Sequence, residues 1–326
     1  MSLPPSLFND VLGPVMRGPS SSHSAAANRM GRLARNLVGE RVCKLISNYD
    51  PNGSLVTTHK DQGTDLGLYS GILGWEPDDA RLPTYPEALE QAGIEVVVNY
   101  VSYDAPHPNF YRLELIGESG TSYHFDAIST GGGMIELQAI DGVPLGGVGD
   151  LHTTLYWLAH APAEAEYADS RVATEAENVA WHHGMDGSGL LRFDSRCLPA
   201  DEEVATLGEA LGAKRHRVLQ AVLPILSRKN LTVPFTRCGE MQQHPEFSDR
   251  PLWESAACYE AARGGISTDE VLERMKLLAR IMADAVSDGL KGTEYADRIL
   301  PAQSPGFTKA ESEGRLIPAD INNRII

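Results

Sequence analysis

The chain has 326 residues, 42% hydrophobic and 22% charged, with a formal net charge of −16. That length supports one large domain or two ordinary ones, and the acidic balance argues against a nucleic-acid partner, which needs a basic patch. No run approaches the roughly 20 apolar residues of a membrane helix. The N-terminal MSLPPSLFNDVLGP has neither a basic start nor a long apolar stretch, so no signal peptide is expected and the chain is placed in the cytoplasm. Cys43, Cys197, Cys238 and Cys258 form no CxxC pair and read as free thiols of a reducing compartment.

Residues 1–20 are rich in Pro and Gly and lead into Gly-Pro-Ser-Ser-Ser-His at 18–23. A helix is expected from about Ser22, because Ser favours the N-cap and Met30, Leu33, Ala34 and Leu37 recur at helical spacing. Gly39 stands where a left-handed residue ends a helix. Residues 42–49 read as a strand. Residues 58–74 start as a loop and turn into a helix of small apolar residues. A short helix at 86–92 precedes strands at 94–101, 111–116 and 123–129, the last two joined by a turn at Glu118-Ser119-Gly120. A fourth strand follows Gly131-Gly132-Gly133, and Asp141-Gly142 turns the chain back. This order implies an α+β domain.

Composition shifts near residue 150, and mainly helices are expected beyond it. Residues 163–183 are helix-compatible, and 201–230 give one or two helices broken at Pro224. The clearest helix spans about 268–288, with a Ser267/Glu270 capping box, a stripe of Val271, Met275, Leu278, Met282 and Val286, and an end at Gly289 and Gly292. The tail ends on Ile325 and Ile326, an apolar terminus that suggests docking and a possible higher oligomer. His182-His183 looks like a metal pair, but adjacent helical positions diverge, so both read as surface residues.

Chemistry is most concentrated at Ser20, Ser21, Ser22 and His23. Three serines before a helix place unsatisfied N–H groups, hydroxyls and the positive end of the dipole together, a site suited to carboxylate or phosphate. His23 there is able to bind, to transfer a proton or to help cap.

Residues 10–35, DVLGPVMRGPSSSHSAAANRMGRLAR, closely resemble the start of the iron–sulfur-dependent L-serine dehydratases. The resemblance continues in order through Lys60-Asp61-Gln62-Gly63-Thr64-Asp65, His107-Pro108-Asn109 and ISTGGGMIEL at 128–137. More weakly, 252–292 resembles the early helices of the family's alpha domain, with Leu300-Pro301 and Pro305-Gly306 as a variant of the segment after them. The resemblance implies a beta-like α+β domain over 1–150, a variable helical connection over 151–200, and a mainly α-helical partial alpha domain over 201–326. It implies a hydro-lyase acting on a small β-hydroxy amino or hydroxy acid, with Ser20–Ser22, Thr64, Asp65, Asn109 and Gly131–Gly133 binding substrate. His107, its backbone held extended by Pro108, is general base or orienting group. His23 is a second candidate. Gln62 stands where the family carries a candidate catalytic histidine and cannot take a proton at neutral pH. His59 is a possible substitute, although a loop histidine is more often solvated. The resemblance also implies a 4Fe–4S cluster whose ligands lie beyond the matched part of the alpha domain, hence on a second subunit or a longer chain. A non-catalytic binding or regulatory subunit is the other reading.

Overall fold

The computed structural model describes residues 4–185, 187–292 and 302–316. It divides into two compact units, residues 1–250 with 262–265, and residues 251–261 with 266–326.

The first unit opens with a turn at Leu7–Val11 and a second at Ser21–Ala25 that runs straight into α1 (Ala26–Val38). The apolar stripe read from sequence is the buried face of α1, with Met30, Leu33 and Leu37 in the core. Gly39 ends it in the left-handed conformation, φ 66°. Next come β1 (Val42–Tyr49), the single turn α2 (Leu55–Thr58), α3 (Thr64–Ile72) and α4 (Tyr85–Ala92). Then β2 (Glu95–Tyr100), β3 (Phe110–Gly117), β4 (Ser122–Gly131), β5 (Met134–Ile140) and the short β6 (Val143–Pro144) complete a six-stranded sheet in the order β2-β1-β3-β4-β5-β6. Only β1 and β2 are parallel, joined by the crossover through α2, α3 and α4.

Helices α1 and α3 pack at a distance only glycine permits. A Cβ on Gly67 would sit 1.9 Å from the Ser24 carbonyl oxygen, one on Gly71 2.2 Å from that of Asn28, and one on Gly31 2.3 Å from that of Leu68. Glycine inside a helix costs about 1 kcal/mol against alanine. Here it buys the approach that presses the serine turn onto the start of α3.

Beyond residue 150 the expectation of helices fails. A second sheet is built from β7 (His152–Leu158), β8 (Ala176–His183), β9 (Gly189–Ser195) and β10 (Arg215–Leu219), with α5 (Arg171–Thr174) between β7 and β8 and α6 (Asp201–Ala210) between β9 and β10. Its order, β10-β7-β9-β8, is that of a ferredoxin-like βαββαβ module. The expected helical connection at 151–200 is therefore mostly strand, and 201–230 holds one helix and one strand. The cause is burial on both faces: Leu155, Leu190 and Leu219 join the core of the first sheet, while Tyr156, Leu191 and Phe193 pack with Val204 and Leu207. Strands covered on both sides lose the alternation that identifies a strand in sequence. His182 and His183 lie on β8 rather than a helix. The imidazole Nδ1 of His182 is 3.0 Å from the Pro144 carbonyl, and that of His183 accepts from the Trp181 indole at 3.1 Å.

The chain continues through α7 (Cys238–Gln243), α8 (Leu252–Gly264), α9 (Thr268–Lys291) and α10 (Ser304–Ser312). Ser267 caps α9 by accepting from Glu270 N–H at 3.1 Å, while the Glu270 carboxylate reaches forward to Arg274. Along α9, Leu277, Met282, Val286 and Leu290 are all at least half exposed. Ile325, Ile326, Leu300 and Pro301 lie outside the described residues.

Candidate functional site

Helix α3 begins at Gly63, whose left-handed φ of 82° turns the chain into Thr64 and Asp65, both buried. Against this start lies the serine turn. Ser20 is its extended N-cap, the N–H groups of His23 and Ser24 bond to the Ser20 carbonyl, and the Ser20 hydroxyl makes no capping bond. The helix thus starts at Ser21, one residue earlier than expected. N–H groups of Ser21 and Ser22 occupy the positions a helix start leaves without an intrahelical acceptor. Ser24 Oγ donates to the Gln62 carbonyl at 3.3 Å, and His23 Nδ1 lies 3.2 Å from Thr64 Oγ1. Gln62 itself is exposed.

The other two motifs are tied to the same place. Ser129 Oγ donates to the Ser22 carbonyl at 2.8 Å, and Ser129 N–H donates to the Asn109 carbonyl at 3.1 Å. The Asn109 side chain accepts from Ser54 Oγ, and Ser54 N–H donates to the Pro108 carbonyl at 2.9 Å. Ser54 opens α2, which ends at His59. Asn109 N–H donates to His107 Nδ1 at 3.0 Å, so a neutral His107 carries its proton on Nε2. Gly131, Gly132 and Gly133 all have positive φ (103°, 61° and 84°) in the β4–β5 turn. A Cβ on Gly131 or Gly132 would meet nothing within 4 Å, so these two require glycine for backbone conformation and leave open space beside them.

Three further residues stand at the site; sequence offered His59 only as a substitute for the missing family histidine and did not single out the other two. His59, read as solvated, is 3% exposed, and its Nδ1 lies 2.9 and 3.0 Å from the two Asp65 carboxylate oxygens. Its Nε2 lies 2.8 Å from the hydroxyl of Tyr100, the second of the three. No periodic signal marks His59, because α2 is a single turn. Arg29 is the third, 2% exposed on α1. It donates through Nη1 to the Gly133 carbonyl, and its Nε has no partner among the described residues. A charged residue on the same face as Ala26, Met30 and Leu33 was the legible signal for it.

Burial governs the electrostatics. It holds the His23 imidazole below its usual range, which favours the neutral ring. It pushes the Asp65 carboxyl above the usual carboxylate range, opposed by hydrogen bonds from His59 and Tyr69. It lowers the Arg29 guanidinium to about 10, with Arg32 adding to the effect. Arg29 makes no salt bridge with a carboxylate among the described residues, which leaves a buried cation suited to an incoming anion.

These residues do not fit a metal cluster. No group of three or more His, Cys, Asp or Glu side chains gathers into a metal site among the described residues. No disulfide joins the four cysteines among the described residues, and Cys43, Cys238 and Cys258 stand on three different elements. A cavity of about 510 Å³ lies elsewhere, lined among others by Arg35, Asn36, His216, Arg217 and Gln220, and includes none of the motif residues. No described helix is long and apolar enough to cross a membrane.

No family model matches the chain. It is 37% identical over 136 residues to the probable L-serine dehydratase, beta chain, of Bacillus subtilis (strain 168), covering 42% of this chain and 60% of that protein. It is 31% identical over 171 residues to the L-serine dehydratase, beta chain, of Peptoniphilus asaccharolyticus, covering 52% of this chain and 76% of that protein. On the strength of these matches, the chain belongs to the L-serine dehydratase beta-chain family.

Proposed function

We propose that this chain is the substrate-facing subunit of a cytoplasmic carbon–oxygen lyase that dehydrates a small β-hydroxy amino acid. The observation that carries the reading is the meeting of four motifs around the start of α3, joined through Ser22, Ser24, Asn109 and Ser129. The N–H groups and hydroxyls of Ser20–Ser22 take the substrate carboxylate, and Arg29 behind them supplies positive charge. Gly131 and Gly132 let the ligand lie against backbone, with Gly133 tying that turn to Arg29. Thr64 and Asn109 offer polar groups, and His107 orients the ligand through Nε2–H. For L-serine, loss of the α-proton and β-hydroxyl leaves an enamine that hydrolyses to pyruvate and ammonia.

In this reading a 4Fe–4S cluster supplies the Lewis acid for the leaving hydroxyl. Because the residues here do not fit as its ligands, a second polypeptide carrying the rest of the alpha domain holds it. Both relatives are named as beta chains, and the exposed apolar face of α9 offers a surface for an alpha-chain partner. Cysteines without disulfides suit a reducing cytoplasm. Anaerobic co-expression with a Gly- and Cys-rich partner is the test. Bound iron and sulfide, with ammonia released from a β-hydroxy amino acid, are expected. An iron-free complex that still binds the amino acid favours the second reading, a binding or regulatory subunit, which the exposed Gln62 at the family's histidine position supports.

A further inference from the structure

Asp65, His59 and Tyr100 form a line of hydrogen-bonded groups, and two of its members, His59 and Tyr100, lie outside all four motifs. The line has a direction. Both Asp65 oxygens face His59 Nδ1, so Nδ1 carries the proton and Nε2 presents its lone pair to the Tyr100 hydroxyl. The Asp65 N–H bonds to the His59 carbonyl at 2.9 Å, fixing the two backbones together. Tyr49 packs on the imidazole with ring centroids 5.6 Å apart. Exposure rises sharply along the line: His59 is 3% exposed and Tyr100, the last residue of edge strand β2, is 52%. Only the tyrosine end is open to a ligand.

We propose that Tyr100 is the group that takes the substrate α-proton, with His59 and Asp65 as the relay behind it. This rests on the lyase reading above. The other candidates are poorly placed for the step. His107 accepts from Asn109 N–H at Nδ1, so its neutral ring has no second lone pair to offer. Gln62 is not a base, and His23 pairs with a hydroxyl rather than a carboxylate. In the step, the Cα–H electron pair becomes the second Cα–Cβ bond and the β-hydroxyl leaves with its own bonding pair. The α-proton passes to the Tyr100 oxygen as the tyrosine's proton crosses to His59 Nε2, giving an imidazolium that faces Asp65. Return of that proton to the departed hydroxide makes water and resets the line, and no oxidant or reductant enters.

The test uses the full chain assembled with its partner subunit. Tyr100→Phe and His59→Gln should each lower kcat, and the exchange of the α-proton with deuterated solvent, by about a hundredfold or more, with KM changed only a few-fold. Added imidazole should restore part of the activity of His59→Gln. A rate indifferent to both substitutions, or a loss that falls on KM alone, overturns the relay and leaves the lyase reading standing. A wild-type complex inert towards every small β-hydroxy acid overturns both. Nitrogen-15 NMR of His59 in the full chain gives a readout independent of turnover: the Nδ1–H tautomer is expected, and the Nε2–H tautomer overturns the relay.

Discussion

Arg29 keeps its charge inside the protein, where Nη1 reaches the Gly133 carbonyl and the Met134 sulfur and Nε has no partner among the described residues. A guanidinium kept this way costs stability unless an anion meets it. Arg29→Met should therefore weaken binding of a carboxylate ligand by tenfold or more, about 1.4 kcal/mol, while leaving the fold as stable or more so. Titration calorimetry with a β-hydroxy amino acid reads the first, and thermal melting the second. Equal affinity in the variant would remove Arg29 from the site. Residues 18–23, by contrast, were legible because Ser, Gly and Pro at a helix start carry their physical meaning in the sequence itself. His59 was legible only as a loop candidate; its burial and partners were not, since they depend on Asp65 six residues on and Tyr100 forty-one residues on, a meeting that the crossover from β1 to β2 creates.

At the scale of elements, the seam between α1 and α3 sets the site's dimensions. Gly67→Ala puts a methyl on the Ser24 carbonyl, and overpacking of this kind costs about 1–3 kcal/mol. Lower thermal stability together with lost ligand binding is expected, because the displaced residue sits beside His23; unchanged melting would mean the helices move apart freely. The two sheets meet at Asp141, which accepts from the Trp157 indole at 2.9 Å, from His124 N–H at 2.8 Å and from Arg215. Asp141→Ala strands those donors in a partly buried place and should cost about 2–3 kcal/mol by denaturant unfolding. The first sheet was readable strand by strand because hairpin turns at Glu118-Ser119-Gly120 and Asp141-Gly142 punctuate it. The second was hidden, because LYWL and GLLRF bury both faces and Ala- and Glu-rich flanks imitate helix.

Across the whole molecule, four histidines, His23, His152, His182 and His216, are held below the ordinary 6.5 chiefly by burial. Below pH 6.5 the unfolded chain takes up protons there that the fold resists, so their stabilising contribution is complete above 6.5 and is lost progressively as pH falls from 6.5 through the lower folded-state values. Asp65 and Asp126 act with the opposite sign, because burial raises them above 3.8, and their window opens at that lower value. Melting temperature should fall between pH 7.5 and 5.5, each lost kcal/mol lowering it by about 2–4 °C for a unit of this size. Calorimetry at fixed ionic strength checks this, and a rising melting temperature on acidification contradicts it. The hydrogen bonds that run from Ser22 through Ser129 and Asn109 to Ser54 have a consequence of the same reach. Segments far apart in the chain are laced by one cord, so loosening it at Ser129 frees the backbone at Ser54, 75 residues upstream, and with it the turn that ends at His59.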